Sequence, residues 1–180
     1  METATKQNEL DSYIAQLPIT YSAVFVPQSQ SRNAKEKNLS INWKITLQNG
    51  RSILETDYMQ GIGHIPNYQK IVPFNSRRTI AVETFEKLAS ELCLAVPNLD
   101  SRYGDKLKPP VLKDVLYSLI MDSDVLNHDS FESWAGDFGY DIDSRKAEKT
   151  YHDCLAIALK LKGIIGNEAM EKLRELFQDY

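Results

Sequence analysis

Leu39-Ser40-Ile41-Asn42-Trp43-Lys44-Ile45-Thr46-Leu47-Gln48-Asn49-Gly50 is the stretch that decides the fold. Apolar and polar residues alternate from Leu39 to Gln48, the period of a strand with one face against a core and the other in water. Asn49-Gly50 then supplies the dipeptide favoured in hairpin turns whose two central residues both take positive φ. A turn there sets the register of the returning strand. Gln48 faces Arg51, Ile45 faces Leu54, Trp43 faces Thr56 and Ile41 faces Tyr58. On the opposite face Lys44 meets Glu55, an oppositely charged pair contributing about 0.2–1 kcal/mol. Both strands present one apolar face, so other elements must cover it.

Upstream, residues 9–17 predict a short amphipathic helix that Pro18 ends, and residues 19–26 are rich in β-branched and aromatic side chains, as strands are. A polar loop over 27–38 joins that strand to the hairpin. Downstream, residues 60–76 carry Gly61, Gly63, Pro66 and Pro73 and read as irregular. From Ile80 the period becomes helical, through Ala81, Phe85, Leu88, Ala89 and Leu92, and stops before Pro97. A basic linker follows over 98–110. A second helix points Val111, Val115 and Leu119 inward, with Leu112 and Leu116 beside them. Phe131, Trp134, Ala135 and Phe138 form the inner face of a third, stopped by Gly139. Asp143 or Ser144 caps a fourth, striped by Ala147, Tyr151, Cys154, Leu155, Ala158 and Leu161 and ended by Gly163 and Gly166. Asn167 caps the last, with Met170, Leu173, Leu176 and Phe177 inward. The expected fold is α+β: a small antiparallel sheet in the N-terminal half packed against a C-terminal bundle of four to five helices. Residues 1–180 make one domain, with a sheet lobe over about 19–76 and a helical lobe over about 79–180.

The composition fits that picture. With 180 residues, 42% hydrophobic and 26% charged, the chain can bury a core without a disulfide or metal staple. No basic start followed by an apolar run marks a secretory signal, and no stretch approaches the ~20 apolar residues of a membrane span. Cys93 and Cys154 lie in helix-like apolar patterns and read as reduced, buried thiols. A cytoplasmic protein with no membrane partner is expected.

The net charge of -4 counts against general nucleic-acid binding, which needs an excess of Lys and Arg on one face. Its distribution is uneven. Residues 1–120 carry 14 basic and 12 acidic side chains, and residues 145–180 carry seven and six. Between them, residues 121–144 hold Asp122, Asp124, Asp129, Glu132, Asp137, Asp141 and Asp143 with no Lys or Arg. Phe131, Trp134, Phe138 and Tyr140 share the same stretch. Two readings stand side by side: helix-terminal carboxylates that cap and solubilise, or a protein-binding face where aromatics anchor and carboxylates select a basic partner. The second reading assigns partner contact to Asp122, Asp124, Asp129, Glu132, Trp134, Asp137, Asp141 and Asp143.

Catalytic motifs are absent. Asp122 and Asp124 begin like a calcium loop, but Asn127 and Ser133 stand where that loop needs Gly and Glu. Asp137-Phe138-Gly139 copies a kinase triplet without a phosphate loop, a Lys strand or a catalytic loop. His64, His128 and His152 share no ligand spacing, so no metal or cofactor is expected. His64, in Gly61-Ile62-Gly63-His64 after Asp57, supports a further alternative, a small hydrolase. A second alternative uses Ser29, Arg32, Lys35, Lys37, Arg77 and Arg78, whose hydroxyl, guanidinium and ammonium groups suit phosphate or nucleic acid. Arg102, Lys106 and Lys108 extend it, with Tyr68 and Tyr103 as stacking groups.

Several stretches carry a resemblance: Val26-Pro27-Gln28-Ser29-Gln30-Ser31-Arg32-Asn33, Asn42-Trp43-Lys44-Ile45-Thr46-Leu47, Thr56-Asp57-Tyr58, Val115-Leu116-Tyr117-Ser118-Leu119, and residues 134–147 ending Gly139-Tyr140-Asp141-Ile142-Asp143-Ser144-Arg145-Lys146-Ala147. Together they resemble a family of small uncharacterised proteins of tailed phages and prophages. That resemblance implies an accessory protein acting in the bacterial host cytoplasm. By analogy with small acidic phage proteins, it implies an inhibitor of host defence, including CRISPR effectors. Its partner is then a bacterial host protein or ribonucleoprotein complex; the absence of catalytic motifs, separately, leads to the expectation that the protein is not an enzyme.

Overall fold

The computed structural model describes residues 2–26, 38–64, 109–178 and 180. Helix α1 (Glu2–Gln16) begins earlier than the apolar pattern predicts. Leu10 and Ile14 are buried and Tyr13 and Leu17 half-buried, the i, i+3, i+4 spacing of an inward stripe. Strands β1 (Thr20–Val26), β2 (Asn38–Asn49) and β3 (Ser52–His64) form one antiparallel sheet in that order.

Alternation sorts the hairpin as expected: Trp43, Ile45, Leu47 and Leu54 are fully buried. Lys44 Nζ reaches Glu55 Oε1 at 2.7 Å on the opposite face. The turn, however, sits one residue later than the dipeptide predicts. Asn49 remains in β2, and the connection is Gly50-Arg51, with Gly50 at φ +58° and no positive φ at Asn49 or Arg51. This arrangement needs left-handed backbone at its first central residue only, which glycine supplies without a steric penalty. Moving the turn by one residue moves each cross-strand partner by two and brings Leu47 opposite Leu54. A shift of two preserves the faces, so the buried set survives the change in register. Residues 60–64, read as the start of an irregular segment, continue β3.

The helical part runs α2 (Leu112–Tyr117), a π turn (Ser118–Asp122), a 3-10 turn (Val125–Asn127), α3 (Phe131–Phe138), α4 (Arg145–Ile165) and α5 (Asn167–Phe177). The architecture is α+β. Ser144, not Asp143, caps α4, accepting a hydrogen bond from the Ala147 N–H. Gly163 lies inside α4 and only Gly166, at φ +87°, ends it. Gly166 is also the N-cap of α5, so Asn167 is its first helical residue rather than its cap. Val111, expected inward, is the extended N-cap of α2 and is exposed, because a cap residue lies outside the helical stripe. The helix expected over 80–96 and the basic linker through 108 lie outside the described residues.

Two compact units divide the chain. One joins Met1–Tyr21, Leu47–Leu54 and Val111–Tyr180, and the other comprises Ser22–Thr46 and Glu55–Pro110. In the first, Val125, Trp134, Ala135, Tyr151 and Ala158 make a core against which Leu126, Phe131, Cys154 and Leu155 pack. Polar contacts tie its distant segments. Lys113 Nζ donates to Asp11 Oδ1 at 2.7 Å, Lys172 lies 3.8 Å from Glu9, and Asn49 Nδ2 donates to the Ile164 carbonyl at 2.9 Å. The hydrogen bond to Asp11, outweighing partial burial, holds the Lys113 pKa above its ordinary value. Among the described residues no helix is long and apolar enough to cross a membrane.

Candidate functional site

The acidic segment is held by three pieces of local structure. Asp124 precedes the 3-10 turn in left-handed backbone, φ +43°, a conformation Asp adopts more readily than most residues. Ser130 caps α3, accepting from the Ser133 N–H at 3.3 Å. Gly139, at φ +70°, ends that helix, and the Tyr140 N–H bonds back to the Ala135 carbonyl at 2.8 Å. After it, the Asp141 carboxylate accepts from the Asp143 N–H at 2.9 Å, and the Ser144 N–H donates to the Asp141 carbonyl at 3.0 Å. The chain over 137–143, the last two residues of α3 and the turn that follows, is thus a short strap leading to the N-cap of α4.

Trp134 anchors the strap from beneath. It is 3% exposed, and its Nε1–H donates to the Ser123 carbonyl at 2.9 Å. Phe138 and Tyr140 both stack on its indole, with ring centroids 5.1 and 5.0 Å away and interplanar angles of 28° and 12°. This corrects the expectation that Trp134 touches a partner. Its apolar area and its one donor are already taken by the core, so it supports the surface rather than forming it. Phe138, expected to face inward, is instead 42% exposed, because α3 ends with it and Gly139 turns the chain away. Tyr140 is 46% and Ile142 57% exposed. Three large hydrophobic side chains therefore stand in water within five residues, interleaved with Asp137, Asp141 and Asp143, all exposed. Ile142 escaped the sequence reading, since one apolar residue among aspartates fits no periodic pattern.

The other carboxylates divide in two. Asp122, Asp129 and Glu132 are exposed. Glu132 lies in the first turn of α3, and hydrogen bonds from its own backbone N–H and then from the Ser130 hydroxyl hold its carboxyl below the ordinary range. Asp124 is half-buried and engaged within the fold. It accepts from Asn127 Nδ2, lies 3.9 Å from Arg174 Nη2 and 4.0 Å from His128 Nε2, and so serves the fold. His128 Nδ1 lies 3.3 Å from Ser133 Oγ and 3.7 Å from Asp137 Oδ2, beneath the strap.

Of the alternative sites, Ser29, Arg32, Lys35, Lys37, Arg77 and Arg78 lie outside the described residues, as do Arg102, Lys106, Lys108, Tyr68 and Tyr103. His64 ends β3, its side chain outside that description, and Asp57 is exposed on the same strand. A cleft of 480 Å³ is lined by Tyr13, Leu17, Pro18, Ile165, Asn167 and Glu168 among others. Cys154 is half-buried, and burial, aided by the charge of Asp153, pushes its thiol pKa up, away from nucleophilic behaviour. Among the described residues no group of three or more His, Cys, Asp or Glu could hold a metal ion.

No family model matches the chain, and no curated protein or solved structure is similar to it.

Proposed function

We propose that this chain is a binding protein, a phage-type accessory factor that occupies a basic surface of a bacterial defence complex, of the CRISPR kind, or of a nucleic-acid-processing complex, and blocks its work. The exposed strap over 137–143 carries this reading. Phe138, Tyr140 and Ile142 offer apolar area of the kind that anchors interfaces, and three carboxylates surround them. Asp122, Asp129 and Glu132, also exposed, add to the negative charge, residues 121–144 contain no Lys or Arg, and the exposed Arg145 and Lys146 mark the edge of the acidic stretch. Such a field draws in a positively charged partner and repels nucleic acid itself. A protein on that surface competes with the nucleic acid the surface serves. The resemblance of residues 134–147 to phage and prophage proteins gives the reading its biological setting.

The test compares the wild-type chain with an Asp137→Lys, Asp141→Lys, Asp143→Lys variant as bait in a bacterial lysate, circular dichroism confirming the fold of both. A basic protein retained in stoichiometric amount by the first and lost by the second supports the reading; an identical retained set overturns it. Inhibition is tested separately, by expressing the chain in a bacterium with an active CRISPR defence. Phage plating efficiency should rise with the wild type and not with the variant.

A further inference from the structure

We propose that His128 is a proton-operated clasp on Asp137, the first carboxylate of the strap. The imidazole is 8% exposed, yet both of its nitrogens face oxygen. Nε2 looks toward Asp124 Oδ2 at 4.0 Å. Nδ1 lies 3.3 Å from Ser133 Oγ and 3.7 Å from Asp137 Oδ2, so a hydroxyl and a carboxylate compete for one nitrogen. The Phe138 ring closes a further side, its centroid 6.2 Å away. The charged groups around the imidazole come from several elements. Asp124, before the 3-10 turn, is held by Asn127 Nδ2 and by Arg174 of α5, whose Nη2 lies 3.9 Å from it, so it is a fixed anion. Asp137, in the last turn of α3, has no second ion-pair partner among the described residues, and its side chain is 74% exposed and free to move. Asp129, next in the chain, is exposed, and α4 contributes Tyr151 and Cys154 to the core beside Val125 and Leu126. None of these three pairs with the imidazole among the described residues.

The two protonation states of imidazole use these partners differently. A neutral ring has one N–H donor and one bare acceptor nitrogen. The fixed anion Asp124 favours the proton on Nε2, since the tautomer is set by what each nitrogen faces. Nδ1 then accepts from the Ser133 hydroxyl, and its lone pair repels Asp137, which stays in water as part of the acidic surface. A charged ring has two donors and no acceptor. Ser133 can then offer Nδ1–H only a neutral oxygen, and the Asp137 carboxylate outcompetes it for a cationic donor. Asp137 is drawn onto His128, and the strap presents one carboxylate fewer. Histidine changes charge between about pH 8 and about pH 5, so the acidic surface is trimmed as pH falls through that range. The clasp stands on the geometry around His128. Its use, loosening the hold on a basic partner in acid, rests on the proposed function.

The experiment follows the isotope-labelled full chain by NMR from about pH 8 to about pH 5.5, where histidine changes charge and an ordinary aspartate stays ionised. The ring nitrogen signals of His128 should show the proton on Nε2 alone at the upper end and on both nitrogens at the lower. The carboxyl carbon signal of Asp137 should shift in step with the ring, and that shift should be lost in His128→Gln. Asp137→Asn, at an exposed position where the fold is not at stake, should remove most of the pH response of the Phe138 and Gly139 amides. An Asp137 signal that stays still in the wild type, or moves equally in His128→Gln, overturns the clasp. So do strap amides that respond equally in Asp137→Asn, or a neutral ring protonated on Nδ1. All of these readouts concern the isolated chain. The proposed function falls separately, only if charge reversal leaves partner capture unchanged.

Discussion

Two regions of this chain alternate apolar and polar residues, and they come to opposite ends. In residues 39–48 alternation buries Trp43, Ile45 and Leu47 completely and leaves Lys44 paired with Glu55 on the other face. In residues 137–143, Asp-Phe-Gly-Tyr-Asp-Ile-Asp has much the same rhythm, yet Phe138, Tyr140 and Ile142 all stand in water. A period of two sorts side chains only on an extended backbone paired with a neighbour. β2 is extended between β1 and β3. The strap bends at Gly139 and again at the Asp141 turn, so Phe138 and Tyr140 meet Trp134 yet stay 42% and 46% exposed, and Ile142 stays 57% exposed. The same pattern builds a core in one place and a surface in the other.

The contrast can be broken by measurement. Trp43→Ala should lower stability by about 3–5 kcal/mol in urea unfolding, the cost of emptying a buried aromatic site; a loss below about 1 kcal/mol would remove the hairpin from the core. Trp134→Phe keeps a ring beneath the strap but leaves the Ser123 carbonyl without its donor, for an expected loss of about 1–3 kcal/mol. Ser144→Ala, which uncaps α4 where the strap ends, should cost about 1 kcal/mol by the same assay.

Within the strap, Ile142→Ser should change stability by no more than about 0.5 kcal/mol while reducing partner capture. Large destabilisation with intact binding would make the strap an ordinary piece of core. The smallest effect belongs to Glu132. Its carboxyl is held below the ordinary range, so its contribution is present above that range and disappears as pH falls through its lowered pKa. Glu132→Gln should flatten that part of the acid limb in a stability-versus-pH series.

The hairpin and the stripes of α4 and α5 were legible because each rests on a periodicity repeated over many residues. What escaped depended on single positions. Asn49-Gly50 names a turn, but Gly50-Arg51 makes it, because one glycine at the first central position is enough. Trp134 and Phe138 are four residues apart and share a helical face, so periodicity assigns both the same burial. The helix stops at Phe138, and only the earlier residue is buried. In the acidic segment the composition located the carboxylates, while the ion pair of Asp124 with Arg174 and the burial of Trp134 against Tyr151 required the packing of α4 and α5 to be known. Sequence marks where charge accumulates more readily than which members of the cluster face out.

The hydrogen bond from Asn49 to the Ile164 carbonyl spans 115 residues. It belongs to a unit in which α1 and the hairpin tip pack with helices drawn from residues 111–180. During translation, α1 and the tip emerge long before α5, so their apolar faces must wait for partners not yet made. Contacts between segments so far apart in sequence slow folding and lengthen the exposure of unpaired surface. This unit should complete its fold only once α5 has emerged, and truncation within α5 should yield a chain that aggregates rather than a smaller folded one.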